Sequence, residues 1–473
     1  MPPRDRARPA HVVILVADGA RPDTLAAAMD RGELPALARL RAEGGRHAIT
    51  SVFPSVTGPA YAPFLLGRFP GPAGLPGIRW YDRARRATRW PAWSRSYVGF
   101  DMAAASRDAD PASPTLFELA PTRLGALSVI ERGLARREKV ARGAMFVARA
   151  AVTHFSGHVE GWLTIDRRVA ARIAQRVAAE RPAFTFCALT GIDKTSHAEG
   201  HDAPVVRDAM RIVDETAARI RDDAERDGRW DDTHLWVVSD HGHSPVRLHE
   251  DLAGLVASWG VRVRAHPWTV GPGHRAAVMV SGNAMAHVYL DLARRDRPWW
   301  PALQRDWNWL PDRLLERPAT DLVILPHDPA RTEVRARDRG SAFVTCDDGR
   351  YAYEPASGDP LGLGPVHGLD ADDAHAATLA SDYPDALVQV ASLAASARAG
   401  DVIVSAARDW DLRARWEPIP HVSSHGALHR EHMLVPLLTN RPPARAPQRT
   451  VDVFATAAAT LGAAVPSDGR SWL

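Results

Sequence analysis

Short runs of consecutive apolar residues, separated by helical patterns, dominate the hydrophobic pattern of this chain. The clearest run is residues 11–17 (HVVILVA), which is rich in β-branched residues and ends at Asp18. Comparable, mainly apolar runs occupy residues 184–189, 235–239 and 433–438, and residues 49–53 are a further short strand candidate. A continuous apolar run of this length is typical of a strand buried on both faces of a parallel sheet. The pattern therefore predicts an α/β fold with a mostly parallel central sheet flanked by helices.

Helices are predicted between these strands and at the end of the chain. Pro22 begins a helix that Gly32 ends, since proline favours the first helical turn and glycine the position after the last. Further helices are predicted at residues 34–41, 60–66 and 452–461. Strands that alternate with helices are typical of a mostly parallel sheet.

Two long segments depart from this alternation. Residues 131–181 are rich in Ala and Arg and have helical periodicity, which predicts a helical pair within a helical insertion over 86–181. Residues 261–420 are rich in Pro, Gly and Asp, and are predicted to form a smaller α+β cap subdomain with strands at 287–290 and 341–345. No long low-complexity linker separates these segments, so residues 1–473 are predicted to form a single catalytic domain with two insertions.

The composition narrows the class of protein without identifying it. The chain has 473 residues, of which 45% are hydrophobic and 24% charged, as in an ordinary globular protein. Its formal net charge is only +3, and no basic run is interleaved with aromatic residues, so no nucleic-acid surface is expected. The two cysteines, Cys187 and Cys346, form no CxxC motif. A disulfide framework and a cysteine-based zinc site are therefore excluded.

The sequence also gives no sign of a membrane or secretory segment. No window offers the 18 or so consecutive apolar residues that a membrane span requires. The first ten residues, MPPRDRARPA, contain no apolar core of a signal peptide. A cytoplasmic location is therefore expected.

Polar clusters follow the predicted strands. Asp18 follows the first strand, Thr57 lies in FPSVTGP at 53–59, and His425 lies in SHG at 424–426. The other two clusters are TGIDKTSHAEGH at 190–201, which holds Asp193 and His197, and VVSDHGH at 237–243, which holds Asp240 and His241. Because ligands bind beyond the carboxyl ends of parallel strands, we expect these side chains to meet at one edge of the sheet.

The residue types in these clusters are those that bind divalent metals. Asp and His without Cys suit zinc or manganese. The i, i+4 spacing of Asp193 and His197 places both on one side of a helical turn. Thr57 is the candidate nucleophile, because coordination to a metal lowers the pKa of a hydroxyl and activates it. Taken alone, Asp18 and Thr57 could simply be helix caps; the occurrence of all the clusters at strand ends favours a site.

These motifs resemble the alkaline phosphatase superfamily, and within it the nucleotide pyrophosphatase/phosphodiesterase branch. The resemblance rests on VADGARPD at 16–23, PSVT at 54–57, IDKTSHAEGH at 192–201, SDHGH at 239–243, SHG at 424–426 and the closing segment at 451–473. It implies a phosphoesterase with two divalent metal ions, zinc first and manganese second. It also implies that Asp193, His197 and His425 hold one ion. By the same resemblance Asp18, Asp240 and His241 hold the other, with Thr57 bound there and forming a covalent phospho-threonine.

The chain departs from that branch at one position. The branch usually carries an Asn about twenty residues after the nucleophile, where it binds a phosphoryl oxygen; here Ile78 falls near that position. Loss of one such donor typically costs about 10²–10³ in rate. Arg79, Lys194 and His243 are the candidates to bind the substrate instead.

Several functions remain open at this stage. The first is hydrolysis of a phosphate ester or anhydride, in the manner of a type I phosphodiesterase or nucleotide pyrophosphatase. The alternatives are a phosphonate hydrolase of the phosphonoacetate hydrolase type, with Lys194 binding a carboxylate, a phosphomonoesterase, and a metal-dependent phosphomutase. A non-catalytic binding protein is disfavoured because no predicted ligand is missing. The expected partner is a small phosphate ester, nucleotide or phosphonate.

Overall fold

The computed structural model describes residues 10–84, 94–141, 143–266, 273–413 and 421–473. Parts of the two predicted insertions, at 86–93, 142, 267–272 and 414–420, lie outside the described residues, as do residues 1–9. Among the described helices none is both long and apolar enough to cross a bilayer.

The described strands are numbered here in chain order. They are β1 (His11–Ala17), β2 (Arg46–Thr50), β3 (Arg79–Tyr81), β4 (Ser94–Ser96), β5 (Arg123–Ala126), β6 (Lys139–Val140), β7 (Phe184–Leu189), β8 (Thr233–Val238), β9 (Ser244–His249), β10 (Val263–Ala265), β11 (Ala276–Ser281), β12 (Met285–Leu290), β13 (Thr320–Pro326), β14 (Arg331–Ala336), β15 (Gly340–Asp347), β16 (Arg350–Pro355), β17 (Val366–Leu369), β18 (Val402–Ala406), β19 (Asp409–Asp411), β20 (Ser423–Ser424) and β21 (Leu434–Thr439).

The described α-helices are numbered in the same way. They are α1 (Pro22–Asp30), α2 (Pro35–Gly44), α3 (Ala62–Leu66), α4 (Ala105–Asp108), α5 (Leu116–Leu119), α6 (Ala144–Phe155), α7 (Val159–Glu180), α8 (Gly191–Glu199), α9 (Pro204–Arg226), α10 (Leu252–Ser258), α11 (Trp300–Trp307), α12 (Trp309–Leu315), α13 (Ala371–Thr378), α14 (Ala386–Ala394), α15 (Arg430–Met433) and α16 (Val451–Thr460). Short 3₁₀ turns lie at Pro59–Tyr61, Gly99–Ala104, Arg136–Glu138 and Trp230–Asp232.

A seven-stranded central sheet forms the middle of the molecule, in the order β2-β21-β8-β1-β7-β5-β6. The five strands from β8 to β6 run parallel, and β21 and β2 form an antiparallel edge. The predicted α/β fold with a mostly parallel sheet is therefore confirmed. The apolar runs at 11–17 and 184–189 coincide with β1 and β7, in which every residue after His11 is buried.

Helices cover both faces of this sheet. Val12, Ile14 and Val16 of β1 pack into one hydrophobic core, which also contains residues of α3 and α16. The alternate residues Val13 and Leu15 pack into a second core, which contains residues of α1, α2, α7 and α9. Alternate residues of a strand point to opposite faces, so a strand covered on both faces must be apolar throughout. This burial explains the continuous apolar run at residues 11–17.

The predicted cap segment contains a second sheet of nine strands, in the order β10-β11-β12-β18-β13-β14-β15-β16-β17. All of its neighbouring pairs are antiparallel except β10 with β11. It contains the two strands predicted at 287–290 and 341–345, as parts of β12 and β15. The segment at 131–181 contains the predicted helical pair, α6 and α7, but it also contains β6, which together with β5 of the wider range 86–181 extends the central sheet.

A buried ion pair fastens the chain after β3 to the second sheet, and it supports a prediction about stability. The Arg83 guanidinium lies 2.6 Å from the Asp401 carboxylate, with both side chains almost fully buried, and also donates to the Leu290 carbonyl at 2.8 Å.

Asp401→Ala leaves a buried charge without its partner, and we expect a loss of about 3–5 kcal/mol in the free energy of unfolding. Chemical denaturation measures this loss. The control is Asp306→Ala, which breaks an exposed pair with Arg305 and should cost less than about 1 kcal/mol. Equal, small losses in both variants would contradict the prediction.

Candidate metal centre

The carboxyl ends of three neighbouring strands supply most of the predicted site residues. Asp18 follows β1, Asp193 lies in the first turn of α8 directly after β7, and Asp240 follows β8. Since β8, β1 and β7 are adjacent and parallel, these carboxylates meet at one edge of the sheet. His425 follows β20, whose residue Ser424 pairs with Ser244 of β9. The strand ends expected from the sequence are therefore brought together.

The first group of side chains, here called the Asp193 cluster, consists of Asp193, His197, His243 and His425. Three imidazole Nε2 atoms converge on Asp193 Oδ1, at 3.0 Å for His243, 3.1 Å for His197 and 3.4 Å for His425. All four residues are buried. The cluster contains the set that the resemblance implied for one ion, with His243 added.

The second group, here called the Asp18 cluster, consists of Asp18, Asp240, His241 and Thr57. His241 Nε2 lies 3.4 Å from Asp18 Oδ1 and 3.4 Å from Asp240 Oδ2. The Thr57 hydroxyl lies 3.2 Å from Asp18 Oδ1, to which it donates, and 3.0 Å from His241 Nε2. The candidate nucleophile therefore lies within hydrogen-bonding reach of two candidate ligands.

Hydrogen bonds outside the clusters fix which ring nitrogen of each imidazole carries the proton. The Nδ1 atoms of three rings lie against backbone carbonyl oxygens: His197 on Ser423 at 2.9 Å, His241 on Gly242 at 3.1 Å and His425 on Ser55 at 2.9 Å. A carbonyl oxygen only accepts, so each Nδ1 donates and each neutral ring presents the Nε2 lone pair to the cluster. This arrangement is the one that orients histidine ligands in metal sites.

The buried carboxylates and imidazole lone pairs of the two clusters would be stabilised by a bound cation. Burial, together with the Asp193 charge, raises the pKa of Asp240 to about 7. Burial lowers the pKa of His241 well below its usual value, so the ring is neutral and its lone pair faces two carboxylates. Burial also opposes ionisation of Asp193, but Lys194 and His197 hold the pKa of that carboxyl well below its usual value.

Two further observations test whether the residues fit a metal. Asp240 Oδ2 is buried and has no hydrogen-bond partner among the described residues. The separations of 3.0–3.4 Å from Asp193 Oδ1 to three Nε2 atoms, and of 3.4 Å from His241 Nε2 to two carboxylate oxygens, match the edge of about 3.3 Å expected for a tetrahedron of ligands 2.0–2.1 Å from zinc. The donor atoms therefore fit zinc, and the same oxygen and nitrogen set accepts manganese.

The alternative interpretation of Asp18 and Thr57 as helix caps is wrong. The residue before α1 is Arg21, and no side chain caps that helix. The residue before the 3₁₀ turn at Pro59–Tyr61 is Gly58, whose φ of 97° favours glycine, and again no side chain caps the turn. The side chains of Asp18 and Thr57 instead contact each other within the Asp18 cluster.

Two residues that sequence reasoning missed support the ligands directly. The Tyr61 hydroxyl donates to Asp18 Oδ2 at 3.0 Å and fixes the orientation of that carboxylate. Asp166 of α7 accepts the backbone N–H groups of Thr190 and Gly191 at 3.2 and 2.6 Å, which anchors the turn leading to Asp193. A buried acid in the otherwise apolar face of α7 is a signal from which the role of Asp166 could have been found.

The turn between β11 and β12 also reaches the Asp193 cluster, which the sequence did not indicate. Asn283 pairs with His425 as an isolated β-bridge, and its side-chain nitrogen lies 2.6 Å from His421 Nδ1. The His421 ring stacks on His197 with centroids 4.1 Å apart. A Cβ at Gly282 would lie 2.5 Å from a Val56 methyl carbon, so the turn fits closely against the residue before Thr57.

The three candidate substrate-binding residues occupy different places. Lys194 is one-third exposed, and its ammonium donates to Asp193 Oδ2 at 2.7 Å. Arg79 begins β3 and is half-buried. His243 lies inside the Asp193 cluster, 3.0 Å from Asp193 Oδ1, and its ligand atom also lies within 4.8 Å of those of Asp193, His241 and His425. Ile78, at the position where an Asn was expected, packs against the hydrophobic core while its N–H donates to the Ser281 hydroxyl at 2.8 Å.

Comparisons with known proteins give the family of the chain and the proteins of similar fold. The family model for type I phosphodiesterase/nucleotide pyrophosphatase matches residues 12–343. The fold is similar to that of phosphonoacetate hydrolase from Sinorhizobium meliloti 1021 in complex with phosphonoformate, with a TM-score of 0.57, 16% identity, and coverage of 96% of this chain and 95% of that one. It is equally similar to murine ectonucleotide pyrophosphatase/phosphodiesterase 5 in complex with AMP, with a TM-score of 0.57, 14% identity, and coverage of 98% and 97%. No curated protein sequence matches at a significant level.

Proposed function

This chain belongs to the type I phosphodiesterase/nucleotide pyrophosphatase family, and from that premise we propose that it is a two-metal phosphoesterase in which Thr57 is the nucleophile. The observation that carries the proposal is the position of the Thr57 hydroxyl, 3.2 Å from Asp18 Oδ1 and 3.0 Å from His241 Nε2. A weak hydroxyl nucleophile needs such an activating environment.

The two clusters divide the metal ligands between them. Asp193, His197 and His425 would hold one ion, and Asp18, Asp240 and His241 the other. Two bound divalent ions, zinc or alternatively manganese, would stabilise the negative charge on the attacking and leaving oxygens of an in-line displacement. We also propose that residues 1–473 act as one catalytic domain, because β5 and β6 of the range 86–181 extend the central sheet and a turn of the range 261–420 contacts the site.

The chain's own groups orient the reaction. Tyr61 holds Asp18 from one side, and Thr57 donates to the other oxygen of the same carboxylate. In the first step the Thr57 oxygen gives up its proton and forms a bond to phosphorus, the bond from phosphorus to the leaving oxygen breaks, the leaving oxygen takes up a proton, and a phospho-threonine results. In the second step a water oxygen forms a bond to phosphorus, the bond from phosphorus to the Thr57 oxygen breaks, and a proton of that water passes to the Thr57 oxygen. Two successive in-line displacements give net retention of configuration at phosphorus.

The proposed substrates are phosphate diesters and nucleotide anhydrides, the chemistry after which the family is named. The second candidate is a phosphonate hydrolase, since one similar structure is a phosphonoacetate hydrolase. Lys194 favours it, because this partly exposed cation beside Asp193 could bind a substrate carboxylate. A phosphomonoesterase and a phosphomutase remain as further hypotheses.

A substrate panel distinguishes these functions. The zinc-loaded protein is assayed with a p-nitrophenyl ester of a nucleotide, p-nitrophenyl phosphate, a dinucleoside pyrophosphate and phosphonoacetate. We expect the nucleotide ester and the pyrophosphate to be cleaved fastest. Release of phosphate and acetate from phosphonoacetate at the higher rate would support the second candidate instead. Conversion without release of phosphate or alcohol would indicate a mutase, and no turnover of any compound would contradict the proposal.

A further inference from the structure

His243 lies in the Asp193 cluster, although it is not one of the three expected ligands of the ion there. Its ring is fully buried, and its Nε2 lies 3.0 Å from Asp193 Oδ1, the shortest such separation in the cluster. The ring meets His197 edge-on with centroids 4.9 Å apart and His425 at 5.2 Å. One ring atom of His243 therefore lies where the other ligand atoms converge.

The tautomer of His243 follows from its outer hydrogen bond. The Ser423 hydroxyl donates its only proton to the Ser244 carbonyl at 3.0 Å. Its oxygen therefore accepts from His243 Nδ1, which lies 3.1 Å away. In the neutral ring Nδ1 then holds the proton and Nε2 the lone pair. The Nε2 lone pair then faces a carboxylate oxygen, and this contact between two acceptors is favourable only with a cation beside both atoms.

The neighbouring backbone makes room for this ring. Gly19 has φ 80°, and a Cβ there would lie 2.9 Å from His243 Nε2 and 3.0 Å from Asp193 Cβ. Both the dihedral angle and the space therefore require glycine at this position. The chain leaving β1 thus passes close enough to hold His243 against Asp193.

We propose that His243 Nε2 is a fourth protein ligand, beside Asp193, His197 and His425, of the ion in the Asp193 cluster. This inference rests on the proposed function, because it assumes that the cluster binds a metal. Four protein ligands complete a tetrahedral shell, so a substrate oxygen would reach this ion only as a fifth ligand, a coordination number that catalytic zinc can adopt in the transition state. We therefore expect this ion to be held more tightly than Asp193, His197 and His425 alone would hold it.

The zinc-loaded protein gives a direct test without any variant. An anomalous difference map from crystals of the loaded protein should place one zinc about 2.0–2.1 Å from His243 Nε2. A zinc ion coordinated by Asp193 but about 3 Å or more from His243 Nε2, well outside bonding range, would overturn this inference and leave the proposed function standing. Absence of any bound zinc would overturn both.

Zinc affinity provides an independent readout, measured by competition with a chromogenic chelator. His243→Gln should weaken one of the two sites by more than about 100-fold, beyond the 10–100-fold typical of residues that only support a ligand. Ser423→Ala removes the acceptor of His243 but keeps the backbone contact to His197, so its effect should stay within about 10–100-fold. The matched control is His327→Gln, since His327 pairs with Glu333 beside β14 of the second sheet and should bind zinc as the unmodified protein does. Equal affinities of His243→Gln and the control would contradict the inference.

Discussion

Thr57→Ala should lower kcat by about 10⁴-fold or more, the scale seen when a catalytic nucleophile is removed, while zinc content and thermal midpoint stay close to those of the unmodified protein. The reason is that the variant loses only the oxygen that attacks phosphorus. The three carboxylates and four imidazoles of the two clusters remain in place. Steady-state kinetics with the best substrate of the panel measures the loss.

A conservative variant and a trapping experiment complete this test. Thr57→Ser keeps the hydroxyl and should retain measurable turnover. Acid quenching of the unmodified enzyme during turnover, followed by peptide mass spectrometry, should find phosphate on Thr57. Activity of Thr57→Ala within tenfold of the unmodified enzyme, or phosphate on another side chain, would show that the nucleophile lies elsewhere.

Removal of divalent ions should abolish activity and also destabilise the fold. Without a cation, Asp18, Asp240 and Asp193 remain buried close together, with imidazole lone pairs facing their oxygens. An ion present at about 1,000 times its Kd stabilises the folded state by about 4 kcal/mol, so the thermal midpoint should fall measurably after chelation. Zinc should restore both activity and midpoint, with manganese as the second choice.

Asp401→Ala provides the control for this second experiment. Asp401 lies directly before β18 of the second sheet, and among the described residues it shares no hydrogen-bond partner with the clusters, so the two effects should add. The variant should therefore melt lower than the unmodified protein but gain the same increment when zinc is added. A chelated protein that melts at the same temperature as the loaded one would show that the clusters do not hold a stabilising ion.

The sequence predicted best those parts of the fold that are buried on both sides. The runs at 11–17 and 184–189 match β1 and β7 because neither face of these strands meets water. The run at 49–53 was misplaced: the strand is Arg46–Thr50, an edge strand whose first half is exposed and polar. Most strands of the second sheet were not predicted; among them, β16 and β17 are partly exposed and leave only short, mixed patterns.

The residues of the candidate site also divide into those that could be located from the sequence and those that could not. Asp18, Asp193 and Asp240 could be located because parallel strands bring their carboxyl ends together whatever the details of the loops. Tyr61, Asn283 and His421 could not, because each reaches the site through packing between elements that are distant in the chain. His243 was predicted to bind substrate. Its Nε2 lies 3.0 Å from Asp193 Oδ1 and its Nδ1 lies 3.1 Å from the Ser423 hydroxyl, and neither contact could be located from the spacing of the motifs.

The turn between β11 and β12 bears on how the second sheet can be altered. The Ala284 N–H donates to the His425 carbonyl at 3.1 Å, and Gly282 fits against Val56 without room for a side chain. Deleting or exchanging the segment that carries this turn would therefore shift a histidine and the nucleophile loop together. We expect that trimming this chain to a minimal catalytic fragment without this turn abolishes the site. Grafts confined to the hairpins around β15 and β16 would leave the contact between the turn and the site intact.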